Sequence, residues 1–325
     1  MGCGIVRTIN DNEDIYLNRP IMPIYRVLNN KLKCPLIGLG TALIKTNEDM
    51  NIVYQSIVDG VRLIDVQPGS EEIVAQGIEN ALKDKKVKRK ELFLVAKLEL
   101  KDKENPEKAL TETLEKLKLE YVDLYLDQWP SCSNYNEPKE KRKKPIPVRD
   151  TWEKMEQLVN KKLTKSIGVC NYNVENLLNI ISICKIKPVV NEVEFHPYLY
   201  QKDLKEFCDL ENIIIFAYNP FVKGEYCKND PSYNSYDLFK EAPITFLFRN
   251  ENYKNLTMGQ IILNWYLSLG IVPIPGTSKI DRMKENLQAI NFSINKRNID
   301  IIGSFESKQH RFNNSYDIFG VDIFG

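Results

Sequence analysis

The stretch EKALTETLEKLKLEYVDLYLD, residues 107–127, holds one helix pattern and one strand pattern in direct succession. Its first half spaces Leu110, Leu114 and Leu117 three and four residues apart, which places them on one apolar stripe of an α-helix. Its second half, Tyr121–Asp127, is a short aliphatic and aromatic run typical of a strand. A helix that leads directly into a strand is the repeating unit of an α/β fold.

The same alternation continues along most of the chain. The strand candidates are Pro35–Leu39, Arg62–Val66, Leu92–Leu98, Tyr121–Asp127, Lys165–Cys170, Pro188–Val193, Asn212–Ala217 and Ile271–Ile274. Eight strands that alternate with helices favour a parallel sheet, and eight is the number that closes a barrel. An open doubly wound sheet is the alternative, but Gly38-Leu39-Gly40-Thr41 is not followed by the third glycine of a GxGxxG pattern. The sequence therefore predicts an α/β fold of the (β/α)8 TIM-barrel type.

The amino-terminal part of the chain is predicted to lie outside the barrel. Residues 1–24 show no sustained hydrophobic period and are interpreted as an extension, whereas residues 25–325 are assigned to the barrel. The barrel is predicted to start with a β-hairpin over Tyr25–Pro35, which turns at Asn29-Asn30. Gly2 and Cys3 partly match an acylation signal, although Val6 stands where Ser or Thr is required. Membrane attachment is expected only if both residues carry lipids.

The composition is that of an ordinary globular protein. The 325 residues carry a net charge of +1, which argues against a nucleic-acid-binding surface over the whole domain. The chain has only two histidines, His196 and His310, so no histidine-based metal centre is expected. Seven cysteines, an odd number without any CxxC, indicate reduced thiols and a cytoplasmic location.

Two long segments are predicted to be loops at one end of the barrel. They are Ser131–Val148, which carries the basic run Lys139–Lys144, and Phe221–Leu256. Because both follow strand candidates, they should lie at the carboxyl-terminal face, where barrels of this type build their active sites. The basic run is interpreted as a solvated loop rather than an anion-binding device.

Several stretches, in order, resemble the aldo-keto reductase family. They are Pro35–Thr41, Gly60–Asp65, Leu94–Leu98, Tyr121–Pro130, Ser166–Tyr172, Asn191–Leu199, Ala217–Pro220, Ile274–Lys279 and the ending Arg311–Phe324. The resemblance covers about residues 25 to 325. It implies a barrel that reduces small aldehydes or ketones by hydride transfer from NADPH.

The resemblance also implies a catalytic group of aspartate, tyrosine, lysine and histidine, in which the tyrosine protonates the carbonyl oxygen. Asp65 and Lys97 match two members of this group, and Gln128 holds the histidine position. The tyrosine position falls in residues 66–70, which read VQPGS, are two residues shorter than in the family and contain no tyrosine. Ser70 is a far weaker acid than a phenol, and Gln128 donates a hydrogen bond but cannot titrate, so general acid catalysis is expected to be lost.

Two further residues near these motifs need an interpretation. Glu99 lies two positions beyond Lys97, so it either shares that strand face and competes with Asp65 for the ammonium, or lies exposed at the start of a loop. His196 lies within a family motif but outside the catalytic group, which favours a structural role.

The cofactor-binding residues are likewise carried over by resemblance. Those at the nicotinamide end are Asn171 on the carboxamide, Tyr218 against the ring and Glu192, which replaces a glutamine. Those at the adenosine end are Thr277, Ser278 and Arg282 around the 2′-phosphate and Glu285 and Asn286 on the adenine. A guanidinium suits a phosphate, so the predicted cofactor is NADP(H). A carboxylate at position 192 accepts hydrogen bonds but cannot donate them, so nicotinamide orientation is expected to differ from that of the family.

Three hypotheses about function follow. The first is an NADP(H)-binding pseudoenzyme that serves as a sensor or a scaffold for a protein partner. The second is a slow or unusual NADPH-dependent oxidoreductase of aldehydes and ketones that uses a substitute proton donor. The third is a structural or membrane-docked protein without a cofactor.

Overall fold

The computed structural model describes residues 25–131, 136–142, 144–249, 253–305 and 308–324. The predicted extension over residues 1–24, with Gly2 and Cys3, lies outside them. The strands are β1 Tyr25–Val27, β2 Lys33–Pro35, β3 Gly38–Gly40, β4 Leu63–Asp65, β5 Phe93–Leu98, β6 Leu124–Asp127, β7 Ile167–Cys170, β8 Val190–Glu194, β9 Ile214–Tyr218 and β10 Val272–Ile274. All eight predicted barrel strands are present, with ends that differ by a few residues.

Helices alternate with these strands along the chain. They are α1 Met50–Val58, α2 Glu71–Lys83, α3 Pro106–Leu117, α4 Val148–Asn160, α5 Val174–Ile181, α6 Lys202–Leu210, α7 Ala242–Phe248, α8 Met258–Ser268, α9 Ile280–Leu287, α10 Lys296–Ile302 and α11 Ser315–Phe319. Short 3-10 helices cover Asn47–Asp49, Arg89–Glu91, Leu100–Asp102, Glu225–Asn229, Tyr233–Ser235, Leu238–Lys240 and Gln288–Asn291. In the described part of the chain, no helix has both the length and the apolar character needed to cross a membrane.

The strands β3 to β10 form one parallel sheet in sequence order. The first and last strands meet through a bridge between Gly40 and Gly276, and the Gly40 amide donates to the Pro275 carbonyl at 3.0 Å. A Cβ atom on Gly40 would lie 3.2 Å from the Ile274 carbonyl oxygen, so a larger residue would crowd this closure. The predicted (β/α)8 barrel is confirmed.

The predicted amino-terminal hairpin is also confirmed, with a longer turn. Strands β1 and β2 pair antiparallel, with Val27 opposite Lys33. The turn includes Lys31, whose φ of 70° is left-handed, so the loop is longer than the Asn29-Asn30 pair. Leu28 and Cys34 of the hairpin are buried in the same apolar cluster as strand residues of the barrel interior. The hairpin therefore helps to fill the barrel.

Strand alternation determines which side chains point into the barrel. On β5, Phe93 and Val95 belong to the interior cluster, whereas Leu94 packs against the helix layer. Lys97 continues the inward series because successive strand residues point to opposite faces. On β4, Leu63 is interior in the same way, which directs Asp65 inward. The period of two therefore brings polar residues to the carboxyl ends of otherwise apolar strands.

Local signals account for the helix ends. Helix α3 begins after Asn105, whose side chain accepts from the Lys108 amide, and ends at Lys118 with a left-handed φ of 54°. Helix α8 begins with a capping box between Thr257 and Gln260. Gly270, with a left-handed φ of 78°, follows its last turn.

The two predicted long loops leave the carboxyl ends of β6 and β9. The first runs to the start of α4, and its described residues 136–142 and 144–147 form no helix or strand. The second is not a plain loop, because its described residues include 3-10 helices and α7. Its beginning covers part of the carboxyl-terminal face, where Phe221 and Lys223 line a cavity.

Candidate active site

A cavity of about 500 Å³ lies at the carboxyl ends of the barrel strands. Six of the predicted site residues line it, each from a different strand end: Asp65, Lys97, Gln128, Asn171, Glu192 and Tyr218. Closure of the barrel brings them together although they are spread over nearly half of the chain. The cavity is the place where these residues can act on one bound molecule.

Three charged side chains form a buried group in this cavity, called here the charge cluster. The Lys97 ammonium donates to Asp65 Oδ2 and to Glu192 Oε1, each at 2.8 Å. The side chains of Lys97, Asp65 and Glu192 are only 5%, 6% and 1% exposed. The predicted pair of Lys97 with Asp65 is therefore present, and Glu192 joins it from β8.

Burial and neighbouring charges shift the pKa values of this cluster. Burial raises the pKa of Glu192 to about 7, and the Asp65 carboxylate adds to this effect, whereas Lys97 opposes it. Burial lowers the pKa of Lys97, but the attraction of Asp65 and Glu192 outweighs it and the net shift is upward. The lysine is therefore held as a cation, whereas the raised pKa of Glu192 lies near neutral pH.

Two oxygen atoms of the charge cluster face away from the lysine. Asp65 Oδ1 and Glu192 Oε2 are buried and have no hydrogen-bond partner among the described residues. A buried carboxylate oxygen without a partner is costly, because it has lost its water. The site is therefore suited to a bound group that offers a hydrogen-bond donor or a positive charge.

Amide and phenol groups form the other wall of the cavity. The Tyr218 hydroxyl donates to Asn171 Oδ1 at 2.7 Å and accepts from Asn313 Nδ2 at 2.6 Å. Asn171 Nδ2 in turn donates to the Gln128 backbone carbonyl at 3.1 Å. Burial raises the pKa of Tyr218 well above its ordinary value. Its phenol is thus engaged within the protein and is a poor acid.

The short segment 66–70 is fastened to the end of β3. The Gln67 backbone amide donates to Thr41 Oγ1 at 2.8 Å, and Thr41 Oγ1 donates to the Asp65 backbone carbonyl at 2.9 Å. Ser70 is buried, and its hydroxyl donates to the Gln67 carbonyl at 2.7 Å. The Ser70 hydroxyl is therefore used inside the loop and does not line the cavity.

Gln67 is a cavity residue that sequence reasoning missed. Its side chain lines the cavity, with Oε1 3.4 Å from Lys97 Nζ. The strand period gave no signal for it, because β4 ends at Asp65 and Gln67 lies beyond the end of the strand.

The interpretation of Glu99 as a competitor for Lys97 is wrong. Strand β5 ends at Leu98, and the chain continues into the 3-10 helix Leu100–Asp102, so the strand period stops before Glu99. The Glu99 side chain is 37% exposed and pairs with Lys101 at 2.9 Å. The alternative interpretation, an exposed residue at a loop start, is correct.

The residues predicted at the adenosine end lie apart from the lining of this cavity. Thr277 and Ser278 follow β10, and Arg282, Glu285 and Asn286 lie on α9. Ser278 and Arg282 are exposed. Thr277 Oγ1 accepts from the Lys279 amide at 3.0 Å, and Glu285 Oε1 accepts from Thr257 Oγ1 at 2.5 Å. The exposed members of this group are therefore free to meet a ligand, whereas Thr277 and Glu285 also hold the backbone in place.

A buried network supports the segment that carries Gln128. Lys103 pairs with Asp127 at 2.8 Å and donates to the Trp129 carbonyl, and the Tyr172 hydroxyl donates to Asp127 Oδ2 at 2.8 Å. These contacts hold the residues on both sides of Gln128. Nothing in the local sequence distinguishes Lys103 from the other lysines around it, so its role depends on long-range contacts.

Glu194 connects the carboxyl-terminal segment to the barrel. Its Oε2 accepts from the backbone amides of Phe312 and Asn313 at 3.1 and 2.9 Å. His196 Nε2 lies 3.4 Å from Glu194 Oε1, and its side chain is fully buried. These contacts place Asn313 against Tyr218 and give His196 a structural position outside the cavity.

The fold and this cavity define an α/β-barrel protein with a polar binding site at its carboxyl-terminal face. The sequence profile described as "Aldo/keto reductase family" matches residues 37–307. The chain belongs to the aldo/keto reductase family.

Relatives of known activity and a solved structure agree with this assignment. The chain is 32% identical to an NADH-dependent D-xylose reductase of Candida parapsilosis, with 91% of this chain and 96% of that protein covered. It is 34% identical to the NADPH-dependent aldose reductase GRE3 of Saccharomyces cerevisiae, over 80% and 86% of the two chains. A Bombyx mori aldo-keto reductase in complex with NADP superposes with a TM-score of 0.81 and 29% identity, over 90% and 95% of the two chains.

Proposed function

We propose that this chain is an NADP(H)-binding aldo-keto reductase-type protein that acts as a sensor or scaffold rather than as an efficient carbonyl reductase. One observation carries the proposal. Among the described residues that line the cavity, Tyr218 contributes the only phenol, and its hydroxyl is bonded to Asn171 and Asn313. The charge cluster is present, but no free phenol from the described part of the chain lines the cavity beside it.

The residues of the cavity fit a nicotinamide cofactor. Asn171, Glu192 and Tyr218 would hold the nicotinamide end, and the unpartnered Glu192 Oε2 offers a contact for an amide donor. Ser278 and Arg282 would hold the 2′-phosphate, supported by the exposure of both and by the charge of the guanidinium. Both relatives are named as NADH- or NADPH-dependent reductases, and the Bombyx mori structure contains NADP. When bound, the cofactor supplies a hydride.

In this proposal, the step of a carbonyl reduction that the chain supports poorly is proton transfer to the carbonyl oxygen. Hydride transfer builds negative charge on the carbonyl oxygen, and that oxygen needs an acid or a strong hydrogen-bond donor. Gln128 offers a neutral amide, and the Lys97 ammonium is already held by two carboxylates. General acid catalysis typically contributes about two to four powers of ten in rate, so its loss should leave only slow turnover.

A second candidate is a slow NADPH-dependent oxidoreductase of small carbonyl compounds that uses a substitute proton donor. The observation in its favour is Glu192, which lines the cavity and whose pKa is raised to about 7 by burial. A carboxyl group that is partly protonated at neutral pH can give a proton to a nearby oxygen. In this candidate, Glu192→Gln should remove the residual turnover without preventing cofactor binding.

The first candidate further implies a protein partner that recognises the barrel with its cofactor bound.

The proposed location of the protein is the cytoplasm. The described cysteines all have free thiols, which supports this location: Cys34, Cys170, Cys184, Cys208 and Cys227.

The test combines a binding and a turnover measurement on the same protein. Trp129 lines the cavity, so NADPH should quench tryptophan fluorescence, and Trp129→Phe should reduce that quenching. Reduction of an aromatic aldehyde should not exceed about one-hundredth of a typical enzyme turnover of about 10 per second. Absence of NADPH binding, or reduction at ordinary turnover, would contradict the proposal.

A further inference from the structure

The charge cluster contains one more negative group than it can balance. Lys97 faces Asp65 from β4 and Glu192 from β8, so one ammonium serves two carboxylates. Two other lysines of this region are held elsewhere, Lys103 by Asp127 and Lys223 by Asp237. With both of its carboxylates ionised, the cluster therefore carries a net charge of −1.

The other titratable groups that face Glu192 stay neutral around pH 7. Cys170 at the end of β7 and Tyr218 at the end of β9 both line the cavity, and burial raises the pKa of each well above its ordinary value. The pKa of Glu192, raised to about 7 mainly by burial, lies within the physiological range. The net charge of the cluster therefore changes from zero to −1 as Glu192 loses its proton.

We propose that Glu192 makes the cavity discriminate between the oxidation states of the nicotinamide cofactor, so that the oxidised form is favoured when the carboxylate is ionised. This inference rests on the proposed function, in which the nicotinamide end occupies the cavity. Oxidised and reduced nicotinamide differ by one positive charge on the ring. A buried site with a net charge of −1 attracts the charged ring, whereas a neutral site distinguishes the two forms much less.

The direction of the pH dependence follows from the charge of Glu192. Well below pH 7 the Glu192 carboxyl group is neutral, and the preference of the cavity for NADP⁺ over NADPH is small. As the pH rises through this range, the ratio of the dissociation constant of NADPH to that of NADP⁺ should increase. By linkage, binding of NADP⁺ near pH 7 should release a proton from the protein.

The experiment measures the dissociation constants of NADP⁺ and NADPH by titration calorimetry at about pH 6 and about pH 8.5. Both molecules carry the same adenosine and 2′-phosphate, so effects of pH on that end cancel in the ratio. We expect the ratio to rise by up to roughly tenfold between the two pH values, because with a pKa of about 7 roughly one-tenth of Glu192 is already ionised at pH 6 and nearly all of it at pH 8.5. A ratio that does not change with pH would overturn the inference.

Two variants assign the effect to Glu192. Glu192→Gln keeps the shape of the side chain but cannot ionise, so its ratio should be low and independent of pH. Glu99→Gln makes the same change of charge at an exposed residue paired with Lys101, and it should keep the wild-type dependence. An effect that survives in Glu192→Gln would also overturn the inference.

The outcomes separate this inference from the proposed function. If neither NADP⁺ nor NADPH binds to the wild-type protein, the proposed function is wrong and the inference falls with it. If both bind with a ratio that is independent of pH, the proposed function stands and only the role of Glu192 is wrong. The pH series on the wild-type protein distinguishes these two outcomes even if Glu192→Gln fails to fold.

Discussion

The charge cluster and the segment formed by β10 and α9 meet the same cofactor in the proposed complex, but they are built in opposite ways. Lys97, Asp65 and Glu192 are buried, joined by short contacts and crowded with charge. Ser278 and Arg282 are exposed. No described side chain forms a capping hydrogen bond at the start of α9. A change in the first region alters the folding and chemistry of the barrel, whereas a change in the second alters mainly its affinity for a ligand.

Under the proposed function, this difference would allow the charge-cluster end of the site to diverge while the cofactor end is maintained. The exposed Arg282 depends on few neighbours, so its ability to meet a phosphate does not depend on the charge cluster. Residues 66–70 contain no tyrosine, and Thr41 and Ser70 hold this segment in place by hydrogen bonds. Cofactor binding without efficient proton transfer is a consistent outcome.

The largest expected effect is that of Lys97→Met on stability. The substitution leaves Asp65 and Glu192 buried together without their cation, and breaking a buried ion pair in this way costs about 3–5 kcal/mol. Urea unfolding followed by circular dichroism measures it. The matched control is Lys101→Met, which removes an exposed partner of Glu99 and should change the free energy of unfolding by no more than about 0.5 kcal/mol. Equal effects of the two changes would show that the cluster is not a buried unit.

An intermediate effect is expected from Arg282→Ala on cofactor binding. NADPH should bind more tightly than NADH to the wild-type protein, and the substitution should weaken NADPH by about 1.5–3 kcal/mol with little effect on NADH. Lys284→Ala removes an exposed cation from the same helix and serves as the control. Fluorescence titrations of the three proteins with both cofactors give the six affinities. If Arg282→Ala weakens NADH binding as much as NADPH binding, the guanidinium does not bind the 2′-phosphate.

The smallest expected effect is the recovery of activity in Gln67→Tyr. Gln67 is the residue of segment 66–70 whose side chain approaches Lys97, at 3.4 Å, so it is the best position for a restored phenol. We expect less than a tenfold gain in aldehyde reduction, or less than about 1.4 kcal/mol, because the Gln67 amide is held by Thr41 in a segment too short to place the hydroxyl well. Gln67→Phe, which has the ring without the hydroxyl, is the control. A gain of a hundredfold over Gln67→Phe would show that the segment is long enough.

Much of the fold could be predicted from local patterns. The leucine stripe of residues 110–117 and the run ending at Asp127 belong to a helix and a strand because side-chain periods of 3.6 and 2 are local properties. The turn of the hairpin was predicted less well, because the left-handed Lys31 carries no composition signal of the kind that Gly or Asn gives. The 3-10 helices and α7 within residues 221–256 were missed for a related reason, since short elements have too few residues to show a period.

The sequence by itself determined the alternating architecture, the positions of Asp65 and Lys97 on successive strands and the absence of a tyrosine from residues 66–70. Only the tertiary structure decided which carboxylate joins Lys97. Glu99 is two positions away but lies beyond the end of β5, whereas Glu192 is 95 positions away and reaches the lysine across the barrel. Barrel closure also buries Glu192, and burial is what raises its pKa. Sequence patterns report which way a side chain points from its own element, but contacts and desolvation depend on elements that come together only in the folded chain.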